Sequence, residues 1–527
     1  MSEAPFSRAV DPYDQVPYRD YAFGFTHPRH LEAVATLFGM VPPDATQCRV
    51  LELGSASGGN LIPQALELPE SFFVGMDLSE RQVNAGRAII EQLRLKNIEL
   101  RRANILQVDD GWGRFDYIIA HGVFSWVPRE VREKVLEICS RNLAPNGVAI
   151  VSYNTYPGWH FKNLTRELML YHSSQFEDPR EQIGQALAIL EFLVGLTPAD
   201  SIPGRLFREQ LEELRSQNDP TYVFHEYLEQ TNEPIYFHHF IQRAEAHGLA
   251  YLAEAEFWRM LIENLPPQTH ELFRRLPLIR QEQYLDFIRA RAFRRTLLCH
   301  RDIPLQRNIL PGLMTAYHFA LELACHSSDV RWDDDSEAAF VVGNRRFTTS
   351  HRLAKAALAC LKEASPGFLS FDQLHSATLA RVAPASLQVG TDVHASRDAL
   401  ASLLLRAYAS GLLEICLHPP AIAPPPASEK PTASPLARIQ AGRGTALVTS
   451  LRHLCMSPDP LSVILLPYLD GTRGRQDLLP IVLEAFAADR FRVIQENVRL
   501  EQLDARMAAA FLEEALNKLA CHGFLIA

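Results

Sequence analysis

Two acidic residues and a turn of small residues lie at the spacing that a nucleoside-binding site requires. Glu52 belongs to a strand-like run at residues 49–53, and Asp77 follows a second such run at residues 72–76. The turn after the first run contains three small residues, Gly54, Ala56 and Gly58. Small residues let a backbone approach a ligand closely, and an acid after the second strand suits the hydroxyl groups of a ribose. This pattern predicts a pocket for a nucleoside-bearing cofactor.

Glu52 separates two classes of such cofactors. Dinucleotide sites favour the pattern G-x-G-x-x-G, which this chain matches only with Ala56 in the middle, between Gly54 and Gly59. S-adenosylmethionine (SAM) sites place an acid two residues before the first glycine, as Glu52 stands here. A carboxylate at that position attracts the cationic methionyl amine, whereas an anionic pyrophosphate gains nothing from it. We therefore predict SAM, in preference to a dinucleotide or to a degenerate pocket.

The other cofactor contacts follow from the same order of strands. Leu78 beside Asp77 provides an apolar wall for adenine, and Asn104 with Ile105, after a third strand, provides a polar group for its edge. The predicted cofactor-binding residues are Tyr18, Glu52, Gly54, Ala56, Gly58, Asn60, Asp77, Leu78, Asn104, Ile105 and His121. S-adenosylhomocysteine is the expected product.

The loops after the fourth and fifth predicted strands should face the transferred methyl group, because ligands of such sheets bind beyond the carboxyl ends of the strands. His121 lies after the fourth strand and is either a general base or a polar wall against the methionyl part. Four aromatic residues form either a channel for an aliphatic amine or ordinary loop packing, and they are Trp126, Tyr153, Tyr156 and Trp159. These five residues are the predicted catalytic set.

The elements that must position these residues alternate between strands and helices from residue 48 onward. Strands are predicted near 49–53, 72–76, 97–101, 115–120 and 147–153, and helices near 60–67, 80–94 and 129–142. Such alternation predicts an α/β fold with a doubly wound, Rossmann-like parallel sheet.

Five segments are predicted along the chain. They are an N-terminal arm or lid over 1–45, which carries Tyr18; a SAM-binding domain over 46–305 with a helical insertion at about 161–235; a middle winged-helix-like domain over 306–418; a Pro/Ala-rich linker over 419–436; and a C-terminal winged-helix-like domain over 437–527. The last two folded segments each end in a helix, a glycine and a short strand, at 404–415 and 516–526. The proline-rich linker is expected to be an extended spacer.

Composition and sequence pattern argue against nucleic acid, metal ions and membranes as binding partners. The 527 residues carry a net charge of -10, and a protein that follows a phosphate backbone usually has a basic excess, so nucleic acid is not expected. The eight cysteines include no C-x-x-C pair, and His238, His239 and His247 have no convincing further ligand, so no metal is expected. The N-terminus has no signal pattern and no apolar run is long enough for a membrane, which predicts a cytoplasmic location and no membrane.

Longer motifs support a family resemblance. They lie at 17–18, 26–28, 51–63, 75–79, 115–128, 151–159, 282–287 and 293–298. With these motifs, residues 49–160 resemble a class I SAM-dependent methyltransferase, and the wider chain is similar to bacterial methyltransferases with a methyltransferase regulatory domain, among them the rickettsial outer-membrane-protein lysine methyltransferases. Ala56 in place of a middle glycine and Asn104 in place of a frequent aspartate depart from the general pattern.

The resemblance implies a methyltransferase whose acceptor is a protein side chain, a lysine Nε of a surface or outer-membrane protein before export, and it implies a homodimer. Two alternatives remain open at this point. One is a methyltransferase that acts on an O or N atom of a small molecule, and the other is a non-catalytic SAM-binding regulatory or scaffold protein.

Overall fold

A mixed eight-stranded sheet forms the centre of the fold. The computed structural model describes residues 21–217, 219–262, 265–327, 330–332, 334–386, 393–445, 447–495, 498–500 and 502–526. The strands of the sheet are β1 (Arg49–Leu53), β2 (Phe72–Asp77), β3 (Ile98–Arg102), β4 (Phe115–Ala120), β5 (Leu143–Tyr156), β6 (Ile235–Tyr236), β7 (Leu249–Glu254) and β8 (Phe293–His300). Their order is β3-β2-β1-β4-β5-β8-β7, with β6 beside β5. β1 to β5 pair in parallel, which confirms the doubly wound prediction. β8 runs antiparallel to β5, and β7 at the edge runs antiparallel to β8.

Helices connect the strands of this sheet, and those between residues 169 and 228 pack into a separate hydrophobic cluster. In chain order the helices are α1 (Pro28–Leu37), α2 (Leu61–Glu67), α3 (Glu80–Leu93), α4 (Arg129–Arg141), α5 (Gly158–Ser173), α6 (Pro179–Leu196), α7 (Ile202–Gln217), α8 (Pro220–Val223), α9 (Phe237–Ala246), α10 (Pro267–Arg274) and α11 (Leu278–Ile288). Successive side chains of β1 point to opposite faces, so Val50 and Leu51 belong to two different hydrophobic clusters. Glu52 therefore shares the face of Val50, where α1 and the N-terminal arm pack.

A buried ion-pair network joins the antiparallel edge of the sheet to α11. The guanidinium of Arg294 is fully buried and lies 2.7 Å from Glu254, 3.0 Å from Glu282 and 2.8 Å from Asp286. These contacts compensate the cost of burying each charge. The motifs at 282–287 and 293–298 thus supply structure, and they place β8 beside β5.

The middle module shares its core with the sheet. Its elements are β9 (His318–Leu321), β10 (His326–Ser327), β11 (Ala338–Val342), β12 (Arg345–Thr349), α12 (Arg352–Ala364), β13 (Leu369–Ser370), α13 (Phe371–Ser386), α14 (Val393–Ala409) and β14 (Leu413–Cys416). Leu358 and Leu404 of this module lie in one hydrophobic cluster with Val50 of β1 and Leu31 of α1. The predicted boundary near residue 305 therefore divides elements that pack as one core.

The C-terminal module follows the proline-rich segment. Its elements are α15 (Pro435–Gly442), β15 (Val448–Thr449), β16 (Cys455–Met456), α16 (Pro460–Leu465), α17 (Arg475–Ala487), β17 (Ile494–Gln495), β18 (Val498–Arg499) and α18 (Ala505–Cys521). The sequence predicts residues 419–436 as an extended spacer, and in the structure this segment forms backbone hydrogen bonds with the module that follows it. The N–H groups of Ala423 and Ala433 donate to the carbonyls of Leu525 and Leu469, so the segment pairs with the module that it precedes.

The N-terminal arm is described from residue 21 and is part of the core from Pro28 onward. A short 3-10 helix at Gly24–Thr26 leads into α1, whose Leu31, Val34 and Leu37 are fully buried. Among the helices of the described ranges, none combines the length and the apolar character needed to cross a membrane.

Candidate active site

The turn after β1 has the backbone conformation that a close approach to a ligand requires. Gly54, Ala56 and Gly58 all have positive φ, at 74°, 48° and 80°. A Cβ atom on Gly54 would lie 2.5 Å from Cγ2 of Val123, so only glycine fits there. Ala56 is an L-residue in the left-handed region, and its N–H donates to Oδ2 of Asp77 at 2.8 Å. This hydrogen bond helps to hold Ala56 in the left-handed conformation, which a glycine at this position would adopt without strain.

Asp77 ends β2 and faces the turn. Its carboxylate accepts the N–H of Ala56, and its Oδ1 atom accepts the N–H of Ser79 at 2.9 Å. A carboxylate offers several acceptor positions, which suits the two hydroxyl groups of a ribose. Leu78 beside it is 58% exposed, so an apolar surface is available to a base next to the ribose position.

Glu52 lies buried beneath the turn. Its Oε1 atom accepts from Nδ2 of Asn60 at 2.7 Å, while its buried Oε2 atom makes no hydrogen bond with any described residue. Burial raises the pKa of Glu52 to about 8, although the hydrogen bond from Asn60 acts in the opposite direction. A buried carboxylate with one unsatisfied oxygen fits the cationic amine of the methionyl group of SAM.

Asn104 and Ile105 lie after β3 as predicted. Oδ1 of Asn104 accepts the N–H of Leu106 at 3.0 Å, and its own N–H donates to Oε1 of Gln107 at 3.1 Å. The amide of Asn104 thus caps a short 3-10 helix and keeps one free lone pair for an adenine amino group. Ile105 packs against the hydrophobic cluster beneath this helix.

His121 closes the other end of the pocket. Its Nδ1 atom lies 2.8 Å from Oγ of Ser152, and the same oxygen accepts the N–H of Gly122 at 2.9 Å. Burial, with a smaller contribution from Arg295, lowers the pKa of His121 to about 3. The imidazole is therefore neutral and a weak base, a state that favours the wall interpretation over the general-base interpretation.

Aromatic rings surround His121, and three of them are not among the predicted site residues. The ring centroids of Phe23, Phe25 and Phe293 lie 4.2, 5.0 and 6.1 Å from that of His121. The guanidinium of Arg295 lies 4.1 Å from the ring of Phe25. The aromatic content of the arm is the sequence signal for Phe23 and Phe25, whereas Ser152 and Phe293 become site residues only through the pairing of β5 with β4 and β8.

The four aromatic residues predicted to form one channel separate in the structure. β5 continues to Tyr156, and Ser152 and Tyr153 therefore point to opposite faces. Ser152 meets His121, while the buried ring of Tyr153 stacks on Phe240 at 4.1 Å. We correct the predicted channel accordingly and leave Tyr153 out of it.

The remaining aromatic residues form two groups. Trp126 and Trp159 are in edge contact at 6.2 Å, with Trp159 buried. The ring of Tyr156 stacks on His160 at 4.2 Å and lies 5.3 Å from Tyr236. Tyr18 lies outside the described residues.

A group that could bind a cation lies away from these residues. Ligand atoms of Glu32, Asp44 and His418 lie within 4.8 Å of one another. Oε1 of Glu32 already accepts the N–H of Ala45, and Oδ1 of Asp44 accepts from Thr46. None of the predicted cofactor residues belongs to this group.

Comparisons with known proteins show which families and relatives the chain resembles. Three family models match separate parts of the chain: a methyltransferase domain at residues 51–149, a predicted methyltransferase regulatory domain at 219–300, and a C-terminal winged helix domain of PKMT at 429–524. The protein RP789 of Rickettsia prowazekii (strain Madrid E) is 34% identical over 500 residues, which cover 93% of this chain and 89% of that protein. A second protein of this organism, RP028, is 39% identical over 233 residues, 44% of this chain and 93% of its own length.

Solved structures extend this similarity to the whole fold. The structure of PKMT2 from Rickettsia typhi matches with a TM-score of 0.84 at 29% identity and covers 97% of this chain and 100% of its own. The structure of the same protein in complex with AdoHcy, the product that SAM leaves after methyl transfer, matches with a TM-score of 0.86 at 28% identity. The chain therefore belongs to a family of SAM-dependent methyltransferases, and it combines a methyltransferase domain, a regulatory domain and a C-terminal winged helix domain.

Proposed function

We propose that the chain transfers a methyl group from SAM to the Nε atom of lysine side chains in a protein. The similarity to PKMT2 of Rickettsia typhi, at 29% identity over 97% of this chain, is the observation that carries the proposal. The match of residues 429–524 to the winged helix domain of PKMT supports it. The motifs shared with rickettsial enzymes favour a surface or outer-membrane protein, methylated before export, as the acceptor.

SAM supplies a methyl group on a sulfonium, and its transfer to nitrogen is a displacement that depends mainly on positioning. In this proposal the carboxylate of Glu52 binds the methionyl amine through its unsatisfied Oε2 atom. Asp77 binds the ribose hydroxyls, and the turn at Gly54 lets the backbone approach the cofactor closely. His121 forms the wall beside the methyl group and is kept neutral by burial.

The acceptor amine must lose a proton before it can attack. Burial lowers the pKa of His121 to about 3, so its imidazole is a poor acceptor for that proton. Water carries the proton away in this proposal, and the rate gain comes from aligning the amine with the sulfonium methyl group.

The acceptor side chain enters past the group of Tyr156, His160 and Tyr236. Tyr156 and Tyr236 are half-buried and His160 is exposed, so their rings are accessible at the end of β5. Aromatic faces suit both the aliphatic stem and the charged end of a lysine. Trp126 and Trp159, which contact each other at 6.2 Å, form the second proposed wall.

The helical insertion is the proposed surface for homodimer formation. Large apolar side chains of this insertion are exposed, and they are Phe161, Leu164, Tyr171, Phe192, Leu196 and Ile202. Exposed apolar groups at this density favour contact with another protein surface. A cytoplasmic location is proposed with it, because none of the eight cysteines, all of which lie in the described ranges, forms a disulfide.

Incubation of the protein with methyl-labelled SAM and a bacterial proteome tests this function. We expect labelled peptides whose masses place the methyl group on lysine. An Asp77→Ala variant is the matched control, and its label should fall in parallel with its affinity for SAM. Label only in small molecules would contradict the protein acceptor, and binding of SAM without transfer to any fraction would indicate the scaffold function.

A further inference from the structure

A turn of the C-terminal module reaches the cofactor pocket. The turn lies between β15 and β16, and His453 at its tip is buried and has a φ of 55°. Nε2 of His453 lies 3.0 Å from Oδ1 of Asn60, the residue whose amide donates to Glu52. Asn60 and His453, which are 393 positions apart along the chain, thus meet beneath the turn that follows β1.

The backbone N–H of Phe23 determines the direction of the hydrogen bonds between Glu52, Asn60 and His453. The backbone N–H of Phe23 can only donate, and it donates to Oδ1 of Asn60 at 3.0 Å. Nδ2 of Asn60 donates to Oε1 of Glu52 at 2.7 Å. Oδ1 of Asn60, which also accepts from Oγ1 of Thr26 at 3.1 Å, is therefore an acceptor, and the His453 tautomer with its hydrogen on Nε2 donates to it. Nε2 of Gln64 lies farther from this His453 nitrogen, at 3.4 Å, and makes no hydrogen bond to it in that tautomer.

The turn that carries His453 is held in place by contacts with the middle module, the N-terminal arm and the rest of its own module. The guanidinium of Arg452 donates to the carbonyls of Pro366 and Leu321 in the middle module, at 2.8 and 3.1 Å. Leu454 forms a β-bridge with Phe23 of the arm. The N–H of Leu451 donates to the carbonyl of Gly523 in its own module. The position of His453 consequently depends on how the C-terminal module docks.

We propose that the C-terminal module completes the cofactor site, with His453 as a positioning residue that holds Asn60 and, through it, the Glu52 carboxylate for the methionyl amine. Because coupling between two sites is reciprocal, SAM strengthens the docking of the module as much as the docked module strengthens the binding of SAM. This inference concerns the cofactor and is independent of the acceptor. It assigns the winged helix module a role in catalysis that does not require contact with a substrate.

Calorimetric titration of the full-length protein with SAM tests the proposal. His453→Gln keeps an N–H donor at a similar reach, and His453→Met has a similar unbranched side chain without a donor, so both variants have comparable backbone strain. We expect His453→Met to bind SAM about threefold to tenfold more weakly, the range of one buried hydrogen bond, and His453→Gln to stay within about twofold of the original protein. His522→Met, in the same module, is the control and should bind normally.

Equal affinities in the Met and Gln variants would overturn the proposal, whether both are normal or both are weakened. Hydrogen exchange of the unaltered protein gives a second readout that needs no variant. Saturating SAM should slow exchange in residues 450–456 and leave the interior of α17 unchanged. Unchanged exchange in residues 450–456 would also overturn the proposal.

Discussion

The cofactor end and the acceptor end of the active site differ in how their residues are distributed along the chain. Glu52, Asn60 and Asp77 lie on consecutive elements of one β-α-β unit. At the acceptor end, His121 meets Phe23 of the arm and Phe293 of β8. The predicted cofactor residues thus belong to one local unit, to which the arm and the C-terminal module add contacts at Asn60, whereas the surroundings of His121 come from distant segments.

The two ends also differ in what their buried titratable groups can do. Burial raises the pKa of Glu52 to about 8 and lowers the pKa of His121 to about 3, so burial disfavours the charge of both. Glu52 has an unsatisfied oxygen that a cationic ligand can neutralise. His121 has its Nδ1 atom beside Ser152 and lies among aromatic rings, with no such oxygen facing it among the described residues. The proposed cofactor end can thus accommodate a charged group, whereas the proposed acceptor end suits an apolar stem.

The largest expected effect is at the SAM turn. Gly54→Ala should reduce SAM affinity by about a hundredfold or more, because the new Cβ atom would lie 2.5 Å from Val123 and displace the loop that carries His121. Gly122→Ala is the matched control, since its φ of 73° is nearly that of Gly54 and nothing lies within 4 Å of the added Cβ atom. Titration calorimetry measures both. Gly122→Ala should show only the backbone strain, about 1–2 kcal/mol in unfolding free energy; equal loss of SAM affinity in the two variants would contradict the steric reason.

Glu52→Gln should weaken SAM binding about tenfold to a hundredfold and stabilise the ligand-free protein at alkaline pH. The pKa of a glutamate is ordinarily 4.5, and burial raises that of Glu52 to about 8. Between these two pH values the folded protein retains a proton on Glu52 that the unfolded chain has lost. The contribution of Glu52 to stability therefore falls as pH rises through this window, and Gln removes that loss. Thermal unfolding should show the variant melting about 2–4 °C above the original protein at pH 8 and close to it at pH 5. The same difference at both pH values would contradict the assigned ionisation.

His121→Asn should lower kcat by less than about tenfold, since a general base would contribute a factor of roughly 10²–10⁴. The side-chain amide of Asn can replace Nδ1 beside Ser152, because it offers both a donor nitrogen and an acceptor oxygen. Because burial lowers the pKa of His121 to about 3, its neutral form persists at all higher pH, and the pH–rate profile of the original protein should show no inflection from it between about pH 5.5 and 8. A loss of a thousandfold, together with the disappearance of an inflection in that range, would restore the general-base role.

The smallest effect is expected at the proposed acceptor wall. Tyr156→Leu should raise KM for a protein substrate about twofold to fivefold, the range of an exposed cation–π contact, with SAM affinity unchanged. Tyr284→Leu replaces an equally large, exposed tyrosine of α11 and serves as the control. Steady-state kinetics with a labelled acceptor protein checks both, and equal changes in the two variants would remove Tyr156 from the acceptor path.

Much of the cofactor end could be predicted from the sequence because its signals are local. The strands at 49–53 and 115–120 have the predicted bounds, and Glu52, Gly54 and Asp77 occur in the order that the sheet requires. A periodic apolar run predicts a strand or helix at the same residues, and a glycine turn predicts a turn at the same residues. One sequence is therefore sufficient to locate them.

The acceptor end is less predictable because strand length and distant pairing decide it. The predicted strand ends at Tyr153, but β5 continues to Tyr156, and the ring of Tyr153 lies in the core. His453 has no motif of its own, and only the docking of the C-terminal module brings it to Asn60. The proline-rich segment 419–436 has the composition of a spacer, and composition does not reveal that Ala423 pairs with Leu525.

Titration of the protein and of its Asp77→Ala variant with SAM tests the assigned cofactor pocket most directly. Asp77 faces the turn and accepts the N–H of Ala56 at 2.8 Å, so the variant loses both a ribose acceptor and a contact that orders the turn. We predict that the variant remains folded and binds SAM with about 1.5–3 kcal/mol less free energy, roughly tenfold to a hundredfold more weakly. Equal affinity of the folded variant and the original protein would show that SAM binds elsewhere.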